Sequence, residues 1–258
     1  MDLPSTAAAR RLLAPLLIAC VLGAVAGCAT PPTEPAARAE FERTNDPLEP
    51  MNREVFDFNL FLDRILLKPV AQGYRNVVPG FARDGIRNFL HNLGEPVIFA
   101  NDMLQGEWKS AHDTTARFLV NSTFGIGGIF DLASQTGLPR QTGDFGQTLY
   151  AWGAPEGPYL VLPIFGPSNP RDAIGMGVDS QIDPFGYLAS DYGAGNSATI
   201  SRMAASGVDL RSRNIETLDD LQRNAIDFYA EMRSLYRQHR ADELRHGRPA
   251  AMPNFDNE

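Results

Sequence analysis

Apolar positions along this chain keep a helical rhythm that prolines and glycines repeatedly interrupt. In "DPLEPMNREVFDFNLFLDRILLKP", Asp46 is suited to capping a helix, Pro47 to its first turn, and Glu49 to completing a capping box. Pro69 is expected to end that helix, giving a span of about 47–67. Nine of the thirteen residues from Val55 to Leu67 are large and apolar, and they do not keep to one face. A helix apolar nearly all round is either buried or facing lipid. The alternation Phe56, Phe58, Leu60, Leu62 also fits a strand, as the lesser reading.

Further helical stretches follow. "PVAQGYRNV" gives way at Pro79, and "GFARDGIRNFLHNL" places Phe81, Ile86, Phe89, Leu90 and Leu93 at helical spacing. "EPVIFANDMLQG" is expected to restart at Pro96 and stop at Gly106, before "WKSAHDTTARFLVNSTF". "PYLVLPIFG" reads as an apolar loop turning at Gly166-Pro167, because Pro163 interrupts any strand. Near the end, Ile215, Leu218, Leu221, Ala225, Phe228, Met232 and Leu235 predict one amphipathic helix. The fold class is mostly α, with helices cut short by Pro and Gly and little or no β.

Three uncharged stretches stand out: 55–67 in part, the thirteen residues from Phe118 to Phe130, and the fourteen from Gly157 to Pro170. "NSTFGIGGIFDLAS" carries three glycines, Gly125, Gly127 and Gly128, without the lysine a phosphate loop needs. As a helix, thirteen residues reach about 20 Å, enough for one leaflet of a ~30 Å hydrocarbon core but not for both. Either one core hides all three stretches or a membrane covers some of them.

The first residues favour the membrane. Arg10 and Arg11 precede an apolar run from Leu12 to Ala26 that ends in Val25-Ala26-Gly27-Cys28. Basic, apolar and small-residue regions in that order make an export signal. The cysteine after small residues resembles a bacterial lipoprotein lipobox, which implies removal of residues 1–27 and acylation of Cys28. Ala29, in place of aspartate, resembles sorting to the outer membrane. Residues 28–45, rich in Pro, Ala and Glu, read as a flexible tether, 46–243 as the folded domain and 244–258 as a loose tail.

Charge and cysteine usage then narrow the partners. Removing residues 1–27 takes Asp2, Arg10 and Arg11 out of 23 basic and 31 acidic residues, so the net charge moves from −8 to −9. A nucleic-acid partner is disfavoured, since phosphate binding needs concentrated positive charge. Cys20 leaves with the signal and Cys28 is acylated, so no internal disulfide and no cysteine-based zinc site are expected.

Apparent catalytic motifs fail on spacing. "GPSNP" has proline where a nucleophile elbow around Ser168 needs glycine. Ser110, His112 and Asp113 face apart on a helix. "DFG" at 144–146 lacks the other kinase loops, and His91, His112, His239 and His246 show no metal spacing. Neither an enzyme nor a cofactor is expected; a hydrolase using Ser168 or Ser110 ranks last.

Several blocks, in order, carry a family resemblance: "NDPLEPMNREVFDFN", "KPVAQGYRNVVP", "RNFLHNLGEP", "TTARFLVNSTFGIGGIFDLA", "DFGQTLYAWGAPEGPYLVLPIFGPS" and Arg171-Asp172. Over about 45–190 the chain resembles the VacJ/MlaA lipoprotein family. The resemblance implies a ring-like helical protein in the inner leaflet of a Gram-negative outer membrane, facing the periplasm. It implies an amphipathic channel that removes stray phospholipids from the outer leaflet. It also implies two protein partners, a trimeric porin and a soluble periplasmic lipid carrier. On that reading Phe56, Phe58, Phe61, Phe124, Ile126, Ile129 and Phe130 are candidate lipid contacts. Asn52, Arg53, Asn88 and Asn92 are candidates to line the channel, though a solvated helix face explains each equally well. The alternative is a scaffold lipoprotein that binds a porin without transport.

Overall fold

The computed structural model describes residues 33–35, 38 and 44–245. The signal peptide of 1–27, the acylation site Cys28 and most of the tether and tail lie outside the described residues.

Helix α1 (Glu49–Leu62) opens the fold. Its expected cap does not form. Asp46 is instead buried, where its carboxylate accepts from Asn52 Nδ2 at 2.8 Å, Arg233 Nη1 at 2.6 Å and the Tyr229 hydroxyl. Three donors inside protein outcompete one N–H at a helix end. Pro69 does not stop the chain either. A wide π-type turn, Asp63–Leu67, carries it without a break into α2 (Lys68–Val77), and the Lys68 N–H reaches back five residues to the Asp63 carbonyl. The wider turn moves the preceding backbone out of the way of the proline ring.

Helix α3 (Gly80–Gln105) runs through Pro96 where a restart was expected. The missing hydrogen bond is offset by packing along α4 (Trp108–Thr123) on both sides of the proline. Gly106 ends α3 as expected, at φ 76°, its N–H bonding the Asp102 and Met103 carbonyls. Short helices α5 (Leu132–Gln135) and α6 (Phe145–Ala151) follow, capped by the Asp131 and Asp144 carboxylates.

The apolar loop expected at 158–166 is a small antiparallel hairpin, and its turn falls at 163–165 rather than at Gly166-Pro167. Strands β1 (Leu160–Leu162) and β2 (Gly166–Ser168) pair Leu160 with Ser168 and Leu162 with Gly166. Pro163 sits in the turn, where no ladder N–H is needed. Asn59 on α1 clamps that turn, donating to the Leu162 carbonyl at 2.9 Å and accepting from the Ile164 N–H at 2.7 Å.

Helices α7 (Pro170–Ile182), α8 (Pro184–Asp191) and α9 (Gly195–Arg213) complete the body. The single C-terminal helix expected from periodicity is two, α10 (Ile215–Asn224) and α11 (Phe228–Leu244). The break comes at Asp227, whose carboxylate caps α11 through the Ala230 N–H and also binds Arg53.

Through space the contacts close on themselves. Helix α1 packs on β1, β2 on α11, α11 on α6, α6 on α3, α3 on α9, α9 on α2, and α2 returns to α1 through the π-type turn. The architecture is a mostly helical closed circuit with one two-stranded hairpin.

Candidate functional site

The chain folds with much of its polarity inside. The largest side chains wholly removed from solvent are Arg117, Gln147, Glu95, Asn52 and Asn101. Large apolar side chains meanwhile lie exposed along the π-type turn and α2 (Ile65, Leu66, Val70, Val77), along α3 (Phe81, Phe89, Phe99) and around the glycine loop. Among the described residues, a conventional apolar core forms where Phe56, Tyr159, Val161 and Tyr229 pack together.

The glycine loop at 124–130 shows how the inversion is built. Asn121, at the end of α4, accepts the Gly128 N–H on its carbonyl at 2.8 Å, while Gly125 accepts the Phe130 N–H at 2.9 Å. Asn92 reaches over from α3 and donates to Ser122 Oγ at 2.9 Å and the Gly127 carbonyl at 3.2 Å. Gly128 has φ 95°, and a Cβ there would stand 2.4 Å from that of Asn92. Ile126, although β-branched, is held at φ 53°. The outcome is a tight loop with polar bonds inward and Phe124, Ile126, Ile129 and Phe130 outward, Phe124 being 76% exposed.

Beneath the loop lies a buried ion network. Arg117 donates from Nε to Glu95 at 3.3 Å, from Nη2 to Asp131 at 3.0 Å and from Nη1 to the Leu138 carbonyl at 2.7 Å. Arg140 adds a second guanidinium on Asp131 at 2.8 Å. Burial alone would raise the Asp131 carboxyl, but hydrogen bonds from Ser134, Arg140 and Asn121 outweigh it and hold the group well below the usual range. A second network joins three helices. Arg240 on α11 spans Asp144 before α6 and Asp172 on α7, at 2.7 and 2.8 Å.

Six of the seven candidate lipid contacts, Phe58, Phe61, Phe124, Ile126, Ile129 and Phe130, stand on the exterior. Phe56 does not. It is 7% exposed, with its ring 5.5 Å from Tyr229 and 5.6 Å from Phe228, because the face of α1 that carries it meets α11.

The four polar candidates prove to be pins. Asn52 bonds Asp46, the Tyr159 carbonyl and the Val161 N–H, tying α1 to β1. Arg53 makes a fork with Asp227 and stacks 4.4 Å over Tyr229. Asn88 and Asn92 hold the glycine loop through the carbonyls of Ile129 and Gly127. Each of the four donates to protein, and none of them lines the cavity described next.

That cavity, of about 420 Å³, lies between α3, α7 and α9, a size that suits a small-molecule ligand. Its wall is amphipathic: Val97, Ile98 and Met203 against Asp179, Asp183 and Arg202. Arg202 pairs with Asp183 at 2.5 Å. Burial pushes the Asp179 carboxyl up, although the Phe145 N–H and Asn101 Nδ2 both donate to it. Gly94 also lines the cavity, and a Cβ there would lie 3.5 Å from the Arg202 guanidinium, in ordinary contact.

The polar wall continues along the seam. On α9, Thr199, Arg202, Ser206, Asp209 and Arg213 share one face at helical spacing, a run of about 21 Å at ~1.5 Å per residue. Arg83 and Arg87 extend the facing stripe of α3 beyond Gly94. One leaflet of a bilayer core is about 15 Å. The sequence analysis did not pick out this stripe, whose signal was polar residues recurring every three or four positions from 199 to 213.

Residues that looked catalytic have structural duties. Ser168 is buried with its hydroxyl on the Asn169 carbonyl, and Asn169 caps α7. Asp113 is engaged by Lys109 and His112. No cluster able to hold a metal occurs among the described residues. No helix among them is long and apolar enough to cross a membrane.

A family model described as MlaA lipoprotein matches residues 44–243. The intermembrane phospholipid transport system lipoprotein MlaA of Haemophilus influenzae is 36% identical over 199 residues, covering 75% of this chain and 77% of that protein. The protein of the same name from Escherichia coli is 32% identical over 235 residues, 88% of each chain. A solved chain described under "Structural basis for maintenance of bacterial outer membrane lipid asymmetry" superposes with a TM-score of 0.69 at 34% identity. That likeness covers 77% of this chain and 98% of the other.

Proposed function

The chain belongs to the MlaA lipoprotein family, and from that premise we propose that it carries phospholipids away from the outer leaflet of an outer membrane, as a passive conduit without covalent chemistry. Cys28 bears the lipid anchor, and the folded ring sits in the inner leaflet facing the periplasm. Headgroups follow the polar seam between α3 and α9 while acyl tails stay beside apolar surface. A soluble periplasmic carrier receives the lipid, and a trimeric porin holds the ring in place.

One observation carries this reading: charged side chains are buried while large apolar side chains face outward over most of the helical body. In water, each large apolar group left exposed forgoes about 1.5–3 kcal/mol of burial, so such an exterior makes physical sense against acyl chains. The amphipathic cavity and the polar stripe beyond it add a route through the same body.

Cells lacking the protein are expected to accumulate phospholipid in the outer leaflet and to lose growth on detergent with a chelator. Gly94→Phe, which fills the cavity mouth from α3, should reproduce that defect at normal protein levels. Normal asymmetry in a clean deletion of a single-copy gene would overturn the proposal. Normal asymmetry with Gly94→Phe alone would move the route away from this cavity. Protein carrying Cys28→Ala should still need detergent, whereas a scaffold would be a soluble monomer.

A further inference from the structure

Exposed aromatic rings with a polar tip are confined to one end of α3. Among the described residues, the exposed Trp and Tyr are Trp108, Tyr150, Trp152, Tyr187 and Tyr192. Trp152 donates its indole N–H to the Leu104 carbonyl at 3.1 Å, so its ring stands over the last turn of α3. Tyr150 lies two residues before it on α6. Trp108 opens α4 three residues after α3 ends at Gln105. Helix α9 runs back along α3, with Arg202 beside Gly94 and, farther on, Asp209 and Arg83 both acting on Tyr74. That direction sets the start of α9, with Tyr192 just before it and Tyr187 on α8, toward the same end.

The opposite end has no such rings among its exposed residues. Val77 and Phe81, each 81% exposed, form the α2–α3 corner. The glycine loop, held by Asn88 and Asn92, adds Phe124, Ile126 and Ile129. Charged groups at this level are paired, Asp84 with Arg87 and Arg140 with Asp131. Exposed aliphatic groups occur at both ends; only the polar-tipped rings are sorted.

Water gives no reason for that sorting, since exposed Phe and exposed Trp both forgo burial there. A protein partner would bury either kind. A lipid leaflet distinguishes them: Trp and Tyr settle where one end of the ring is apolar and the other wet, while Phe, Val and Ile go among the tails. Lys109 follows Trp108, and its ammonium stands on a side chain 84% exposed, as suits the phosphate level. From Leu104 back to Phe81, α3 covers about 35 Å at ~1.5 Å per residue, against about 15 Å for the core of one leaflet. Fitting that stripe into one leaflet inclines α3 by about 65° from the bilayer normal.

We infer that the Trp108–Trp152 corner is an interfacial anchor resting at the headgroup level of the periplasm-facing leaflet. From it α3 leans into the tails until Val77 and Phe81 reach the chain ends near the midplane. The inference rests on the membrane placement in the proposed function and adds which end of the molecule faces water and which lies deepest.

The chain has two tryptophans, both at this corner, so its own fluorescence reads the depth. Full-length protein is placed in nanodiscs of phosphatidylcholine brominated either near the headgroup end of the acyl chain or near its terminal methyl. Bromines near the headgroup should quench wild type about twofold more strongly than those near the methyl, given a leaflet core of about 15 Å. Trp108→Phe and Trp152→Phe, made singly, should each keep that order. Phe81→Trp in protein carrying both Trp→Phe changes should reverse it. If that variant fails to fold, a nitroxide on Phe81→Cys in otherwise wild-type protein gives the same depth, from its relaxation by oxygen against an aqueous nickel chelate. Native tryptophans quenched better by the deep bromines, or a position 81 no deeper than they are, would overturn the anchor. Native tryptophans reached only by aqueous acrylamide, with position 81 still quenched by lipid, would overturn it and leave the membrane placement standing. Quenching by neither lipid at any position would remove both.

Discussion

The hairpin end and the helical body of this molecule are folded by opposite rules. At the hairpin end, Phe56, Tyr159, Val161 and Tyr229 close an aromatic core, into which only a few polar pins such as Asp46 and Asn52 reach, with Arg53 at its rim. In the helical body, Arg117, Glu95, Asn101 and Asp102 are inside, and Phe81, Phe99, Phe124 and Ile126 are outside. The first arrangement is stable in water by burying apolar surface. The second fits a region whose surroundings are themselves apolar, where the interior is the place for charge. The two meet in one chain because α1 serves both: Phe56 points into the aromatic core while Phe58 and Phe61 point out.

Similar-sized substitutions separate the two ends most sharply. Arg117→Met keeps apolar bulk but takes the buried cation from Glu95 and leaves Asp131 only Arg140, which should cost about 3–5 kcal/mol. Phe56→Leu, nearly as bulky a change, should cost about 1 kcal/mol because an aromatic core repacks. Thermal unfolding of both in the same detergent checks the contrast. Equal losses would mean that the polar interior is not what holds the body together.

A pH series comes next. Burial, helped by Glu95 and Glu107 and opposed by the Thr114 hydroxyl, pushes the Asp102 carboxyl up to about 6. The folded state then binds this proton more tightly than the unfolded chain. The contribution is greatest below the unfolded value near 3.9 and is lost as pH rises through about 6, on the order of 2–3 kcal/mol. Asp131 has the opposite sign, since its depressed carboxyl contributes above the unfolded value and fails as pH falls. Asp102→Asn should therefore stabilise the protein at pH 7.5 and not at pH 4, as read by melting temperature.

Gly128→Ala tests how the apolar loop is held. A Cβ at φ 95° and 2.4 Å from Asn92 should cost about 1–3 kcal/mol and increase proteolysis within 124–130. The smallest effect on stability belongs to the exterior. Val77→Ser with Phe81→Ser should change unfolding by no more than about 0.5 kcal/mol. The same pair, in protein with Cys28→Ala, should weaken sedimentation with liposomes about tenfold or more, since each group forgoes up to ~2 kcal/mol of apolar contact. A soluble protein's exterior would show the small stability effect and no loss of sedimentation.

Much of the fold was legible along the chain. Helical spacing and the stops at Pro79 and Gly106 are local matters, decided within a turn or two of backbone. Where reading failed, a distant partner had overruled a local signal. Pro96 does not end α3 because α4 packs on both sides of it. Pro163 does not abolish the hairpin because Asn59, about a hundred residues earlier, clamps the turn. Asp46 does not cap α1 because Tyr229 and Arg233 claim it.

The composition of the uncharged stretches already posed the choice between one core that hides them and a membrane that covers some of them. The amino acids alone also established a helical class and the family whose blocks they share. Only the tertiary structure decided which way each face turned. It set Phe56 inward and Phe58 outward on the same helix, made pins of Asn52, Arg53, Asn88 and Asn92, and brought Trp152 to the end of α3 beside Trp108. The reason is physical: apolar surface is a sum over residues, but the satisfaction of a buried charge depends on a partner whose position is fixed only when the whole circuit of helices closes.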